Sequence, residues 1–201
     1  MNPIIPYQQP AIIDGESYDE LCFKGLRAED TVFNNVEFYE CRFEACRFFQ
    51  GTFRQCSFEK CTFEQCDLSV LEVDESSFHD VRFFDSKILG TDWTHAKNPI
   101  SLAFIRCNIG RSAFVKLSLQ KTEISECMAH EADFTGTNLS HTNLCETDFL
   151  GARFAGTNLS YADFTAAKNY AIDPTENRVK KAIFSIPEAL SLLSAFDVIL
   201  K

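Results

Sequence analysis

The 201-residue chain has little of what an enzyme or a membrane protein needs. No apolar run approaches the length of a transmembrane helix. The first residues carry neither the basic segment nor the sustained apolar stretch of a secretory signal, so a cytoplasmic protein with no membrane association is expected. Histidine is sparse, and His79, His95, His130 and His141 have no ligand spacing to one another. No glycine-rich phosphate loop is present. No catalytic constellation assembles, so neither an enzyme nor a cofactor or metal site is expected. Positive charge is also short. Lys and Arg total 19 against 29 Asp and Glu, a net charge of −10. That argues against direct nucleic-acid binding and permits binding to a basic protein surface. Residues 1–100 hold 18 acidic and 9 basic side chains, and residues 101–201 hold 11 and 10, so the acidity lies in the N-terminal half.

What is abundant is phenylalanine, 20 in all, and it is periodic. From Phe33 to Phe63 one falls at every fifth position. The ladder continues through Leu68, Val73, Phe78, Phe83, Ile88 and Trp93. It slips by one residue, resumes at Phe104 and runs to Phe164, making 26 centres of which only Ala129 is not large and apolar. A period of five matches neither a helix face at 3.6 nor a strand face at 2. It is a repeat, reading small, polar, apolar, polar, polar. If large and small residues both point inward, the chain turns after each unit, and four turns make a square coil of 20 residues. Successive coils then stack as parallel strands about 4.8 Å apart. About seven coils, a rod of ~34 Å, are expected on that spacing.

Nine cysteines would suggest disulfides in a secreted chain, but position says otherwise. Cys41, Cys46, Cys56, Cys61, Cys66, Cys107 and Cys127 occupy the small inward slot, where cysteine acts as a small hydrophobe. Reduced thiols are expected, as suits the cytoplasm. Cys22 and Cys145 fall outside the slot and read either as reactive thiols or as ordinary partly buried residues. In the second half Thr137, Thr142, Thr147 and Thr157 fill the slot, each with a hydroxyl free to bond backbone at a corner.

This repeat resembles the pentapeptide-repeat family, over roughly Tyr18 to Thr165. The resemblance implies an all-β solenoid, a right-handed quadrilateral parallel β-helix, with a C-terminal capping helix and short strand. Residues 1–17, with Pro3, Pro6 and Pro10, read as a lead-in whose Ile4, Ile5, Ile12 and Ile13 cover the first coil. Residues 18–165 form the coil, with the one-residue slip at 94–103. Pro99 cannot donate to a ladder, so a bulge or small projecting loop is expected at Lys97, Asn98, Pro99, Ile100 and Ser101, either a tolerated insertion or a contact loop. Residues 166–201 form the end cap. Asp173 to Asn177 reads as a turn, Ser185 to Phe196 as a helix and Asp197 to Leu200 as a short strand. This tail is too apolar to face water, and its outer residues, Leu190, Leu193, Phe196, Val198 and Leu200, are expected to join two copies of the chain.

The tail, with its Asp-Pro-x-x-Asn turn, Pro-Glu-Ala and apolar end, resembles that of the quinolone-resistance and toxin-immunity branch of the family. That resemblance implies a homodimer joined through this end, which binds DNA gyrase or topoisomerase IV as a mimic of duplex DNA. Folding the repeat at 20 residues per coil places Glu72, Asp74, Glu75 and Asp92 on one face, with Arg54 a coil before and Glu37, Glu40, Glu59 and Asp80 on the neighbouring face. The four acids are the expected contact residues, although a generic solubilising surface would look the same. Phe49 and Phe84 follow a centre and should point outward, either against a flanking segment or toward a partner. The other function class is an interaction scaffold with an unrelated protein partner.

Overall fold

The computed structural model describes residues 11–198, and Pro3, Ile4, Ile5, Pro6, Pro10 and Leu200 lie outside them. The chain winds as a parallel coil. On one side Phe23 pairs with Phe43, Phe43 with Phe63, Phe63 with Phe83, Phe83 with Phe104 and Phe104 with Ile124. The same column continues through bridges at Glu123, Asn143 and Asp163 to the pairing of Phe164 with Phe184. Every step is 20 residues except Phe83 to Phe104, which is 21 and absorbs the slip. All 26 centres are buried, Trp93 completely. Like residues stack on like: Phe43 and Phe63 lie 4.5 Å apart at 6°, Phe58 and Phe78 5.1 Å apart at 5°.

The slot has a second task besides filling space. Its side chain donates to the carbonyl of the centre 23 residues earlier. The thiol of Cys46 does so to Phe23 (3.2 Å), and the hydroxyls of Ser76, Thr137 and Thr157 do so to Phe53, Phe114 and Phe134 (2.9, 2.7 and 2.8 Å). The same atom accepts from the slot amide one coil back, as Ser76 does from Cys56 and Thr147 from Cys127. The slot therefore favours Cys, Ser and Thr, small groups that satisfy a buried carbonyl and an amide together. Gly51 is an exception forced by space, since a Cβ there would lie 2.9 Å from the Phe48 carbonyl oxygen.

The corners are made by a feature the repeat pattern does not announce. Two residues after nearly every centre the backbone turns left-handed, from Glu20 (φ 53°) through Glu75 (φ 52°) to Tyr161 (φ 61°). Most of these residues are not glycine, and each such conformation costs ~1–2 kcal/mol in an L-residue. Val70 is the worst suited, being β-branched at φ 56° and half exposed. Val70→Gly is expected to raise stability by about 1 kcal/mol, the relief of strain outweighing the extra freedom of the unfolded chain. A denaturant titration in which the variant is no more stable would contradict that.

The ends differ from expectation in three respects. The first strand begins at Ser17 rather than Tyr18, and Asp14 already takes part in the coil by accepting from the backbone and side chain of Asn34 (both 2.8 Å). Ile12 packs on the core, whereas Ile13 is exposed. At the other end the coil runs past Thr165 for another turn, with Asp163 and Phe164 paired to Ile183 and Phe184. The repeat is disguised there. Asn169 takes a left-handed corner where a centre is due, Tyr170 turns inward instead, and Asn177 fills the slot by donating to Phe154 (2.7 Å). Finally, a 3-10 helix spans Glu188–Phe196, shorter than expected, and Val198 lies in no strand. From Phe23 to Phe184 there are thus eight steps, ~38 Å of rod, one coil more than the repeat count implied.

All nine cysteines are free. Burial pushes the Cys107 thiol up to about 11 and Cys127 upward as well. Modification also needs access to the sulfur, and the seven slot cysteines are almost fully buried while Cys22 is exposed and Cys145 half-buried, so a maleimide at neutral pH is expected to modify Cys22 first, Cys145 more slowly and the slot cysteines only after unfolding. Mass spectrometry that finds a slot cysteine labelled in the native protein, or bridged to another, would overturn the packing described.

Candidate partner-binding surfaces

The side of the rod that carries Phe53, Val73, Trp93 and Phe114 at its core brings the four expected acids together. Glu72 follows Thr52 and Asp92 precedes Ala113 in the same ladder. All four carboxylates are at least partly exposed. Three are held by neighbours. Glu72 accepts from the Thr52 hydroxyl (3.1 Å). Asp74 lies 3.8 Å from the Arg54 guanidinium. Asp92 caps the 3-10 turn Trp93–His95, accepting from the amide and hydroxyl of Thr94 (2.9 and 2.6 Å), with His95 Nδ1 3.9 Å away. Glu75 has a left-handed backbone, sits at the corner, and its amide donates to the His95 carbonyl (3.0 Å). Two shallow depressions flank this cluster, sharing Asp74 and His95. The spacing of 20 residues between Glu75 and His95 was the signal that places this histidine in the acidic face. Among the described residues no group of His, Cys, Asp and Glu is arranged to hold a metal ion.

The slip is a bulge that stays on the coil. The amide of Lys97 still bonds Ser76 (2.8 Å) and that of Ser101 still bonds Phe78 (2.9 Å), so Lys97 to Ser101 does not project as a loop. The Asn98–Pro99 peptide is cis. Lys97, Asn98, Pro99 and Ser101 are exposed. Ile100 is not a contact residue: it is 6% exposed and joins the core, because the extra residue is taken up by turning one apolar side chain inward. Phe49 and Phe84 are half-buried rather than fully presented, and the Arg47 guanidinium lies 5.3 Å from the Phe49 ring centre.

At the C-terminal end the apolar residues divide. Leu192 packs on the core, and Leu193 is half-buried. Leu190, Phe196 and Val198 are about half exposed, and Ile183 and Ile186 join them, Ile186 at 83%. Ile186 lies just before the helix, in a segment the sequence reads as part of it. No described helix is long and apolar enough to cross a membrane.

A sequence profile for the pentapeptide repeat region matches residues 36–114, and one for pentapeptide repeats, in eight copies, matches residues 132–168. No curated protein sequence matches the chain. Among solved structures it is similar to a trypsin-treated, singly substituted form of QnrB1, a plasmid-mediated fluoroquinolone resistance protein, at 19% identity and a TM-score of 0.75, covering 92% of this chain and 98% of that one. Full-length QnrB1 gives 17% identity and a TM-score of 0.56, covering 90% and 100%. HetL of the cyanobacterium Nostoc sp. strain PCC 7120, a pentapeptide repeat protein involved in heterocyst differentiation regulation, gives 15% identity and a TM-score of 0.53, covering 83% and 86%. At these identities the likeness is one of fold.

Proposed function

The chain is a member of the pentapeptide-repeat family, and from that premise we propose that it is a cytoplasmic mimic of duplex DNA that occupies the DNA-binding groove of DNA gyrase or topoisomerase IV and protects the enzyme from a poison, such as a quinolone or a natural toxin. The observation that carries this reading is the set of carboxylates at Glu72, Asp74 and Asp92, each fixed by a neighbour on a stiff coil. Groups already held lose little conformational freedom on docking. A groove that grips phosphates attracts such a row, and charge of this kind steers encounter. The fluoroquinolone resistance of QnrB1, which has this fold, supports the same reading.

The apolar end completes the dimension. Exposed Ile186, Leu190, Phe196 and Val198 are best covered by the same patch of a second copy, in a closed twofold dimer. Two rods of ~38 Å joined tail to tail span about 77 Å, the length of ~22 base pairs at ~3.4 Å each. Sedimentation at micromolar concentration is expected to give a dimer that Leu190→Glu with Phe196→Glu dissociates, and a monomeric parent protein would remove the dimer from this reading. The function is tested by a supercoiling assay with purified gyrase and a gyrase poison. Protection that rises with added protein is expected, and failure to bind gyrase at all would reject the proposal.

The similarity to HetL favours a second reading, since it places the same coil in a protein of developmental regulation. There the chain would be an interaction scaffold for an unrelated protein, with no enzymatic activity of its own.

A further inference from the structure

One side of the rod reverses its charge at the slip. This is the side built on Tyr18, Phe38, Phe58 and Phe78 before the slip and on Leu119, Leu139, Leu159 and Val179 after it. Before the slip, residues 17–20, 37–40, 57–60 and 77–80 carry six carboxylates, Asp19, Glu20, Glu37, Glu40, Glu59 and Asp80, against the single Lys60. After it, residues 118–121, 138–141, 158–161 and 178–181 contain no acid at all, in a chain whose net charge is −10, and carry Lys121, Arg178, Lys180 and Lys181. All four of these cations are exposed, and none forms an ion pair within 4 Å among the described residues. Two acids on the adjoining side are committed elsewhere. Glu123 accepts from Ser125 and Asn143 (2.9 and 3.1 Å), and Asp163 accepts from Thr165 (2.9 and 2.6 Å). At the corner of the cationic half, His141 stacks on Tyr161 (4.6 Å, 4°), and Lys181 lies 5.6 Å from that ring.

We propose that this side is a self-complementary interface on which a second copy of the chain lies antiparallel, the acidic half of each rod against the basic half of the other. The geometry favours this occupant over an unrelated acidic segment. Four levels lie on each side of the bulge at 97–101, and both halves repeat at the same pitch. A twofold axis through the bulge therefore sets Asp19 and Glu20 opposite Arg178, Lys180 and Lys181, and Asp80 opposite Lys121, while the levels between, 37–40 and 57–60, face 158–161 and 138–141, which carry no Lys or Arg. A closed twofold pairing uses the same patch on both partners, as this pattern requires. The patch carries only four cations on an exposed side, where each charge pair contributes little, so the association is weak and reversible. It uses neither the acidic face around Asp74 nor the apolar end, and it does not rest on the proposed topoisomerase.

The test is zero-length carbodiimide cross-linking of the full chain, mixed from isotopically heavy and light protein, read by mass spectrometry. Asp19 or Glu20 is expected to link to Lys180 or Lys181 of another copy. Within one copy these groups are some eight coils, ~38 Å, apart, and in a tail-to-tail dimer farther still, so neither can supply the link. Raising salt from 0.05 M to 0.5 M should reduce the yield about tenfold, since exposed charges are then screened over a few ångström. Lys180→Glu with Lys181→Glu should abolish self-association on this side, and adding Asp19→Lys with Glu20→Lys in the same chain should restore it, with the charges exchanged. Absence of heavy-to-light links at low salt, links confined to the C-terminal residues, or a charge-exchanged variant that does not recover would each overturn the proposal. So would preferential capture of a short oligonucleotide by the cationic half.

Discussion

Phe58→Ala is expected to lower stability by roughly 3–5 kcal/mol, the cost of removing a fully buried aromatic. Phe58 is enclosed on every side. Its ring lies 4.9 Å from Phe38 and 5.1 Å from Phe78 along its own column, and 4.9 Å from Phe53 and 5.8 Å from Phe63 across the core. Collapse into the gap is hard, because the backbone of each coil is fixed by ladders to the coils before and after it. The loss therefore includes a cavity as well as the transfer of the ring and its aromatic contacts. For a chain of this size the melting midpoint should fall on the order of 10 °C. Trp93, the one tryptophan, reports it, since it lies edge-on to Phe78 at 5.2 Å and that ring stacks on Phe58. A melt unchanged by the substitution would show that the phenylalanine column is not the core.

The second large effect belongs to the proposed function. Replacing Glu72, Asp74, Glu75 and Asp92 by Gln, Asn, Gln and Asn should leave the fold intact. Asparagine still caps the 3-10 turn at position 92, and exposed substitutions of this kind are mild. The Arg54 to Asp74 contact is exposed on both sides, so little stability leaves with it. Binding to gyrase should nonetheless slow at least tenfold, because the four charges, three of them held by neighbours, no longer steer the encounter. Its dependence on salt should flatten in proportion. Association rates at two ionic strengths, measured beside poison protection, check this. Protection that survives the quadruple replacement would move the contact to another side of the rod.

The interior was legible because its code is strict. Every centre from Phe33 to Phe164 is buried, and the slot residues lie inward where the spacing put them. The slip was legible as a count, eleven steps from Trp93 to Phe104 where ten were due. What it does to the surface was not, because whether Ile100 turns in or out depends on space between two coils. The left-handed corners were invisible for a different reason. Glu, Gln, Lys, Asp and Ala all occupy them in the first half, so composition gives no signal, and the ladders on either side impose the geometry. The final coil was missed because Asn169 and Tyr170 place the corner and the core residue out of the five-residue register, and Asn177 fills the slot with a larger residue than the pattern marks. The surfaces were half legible. Folding the sequence at 20 gave the acidic face, but not which carboxylates are held, since that depends on Thr52, Arg54 and Thr94.

The ladders that join the coils also decide how the rod meets force. Backbone hydrogen bonds point along the axis, and each coil bonds only to the coil before and after it. A pull at either terminus therefore loads one rung at a time, as a zip is loaded, rather than shearing a sheet all at once. Each coil that peels releases 20 residues, about 68 Å of extended chain, in exchange for ~4.8 Å of rod. Such a molecule resists compression and bending while yielding stepwise to traction. A cellular unfoldase that grips one end would meet many small barriers in series, the 21-residue turn at the slip releasing one residue more than the rest.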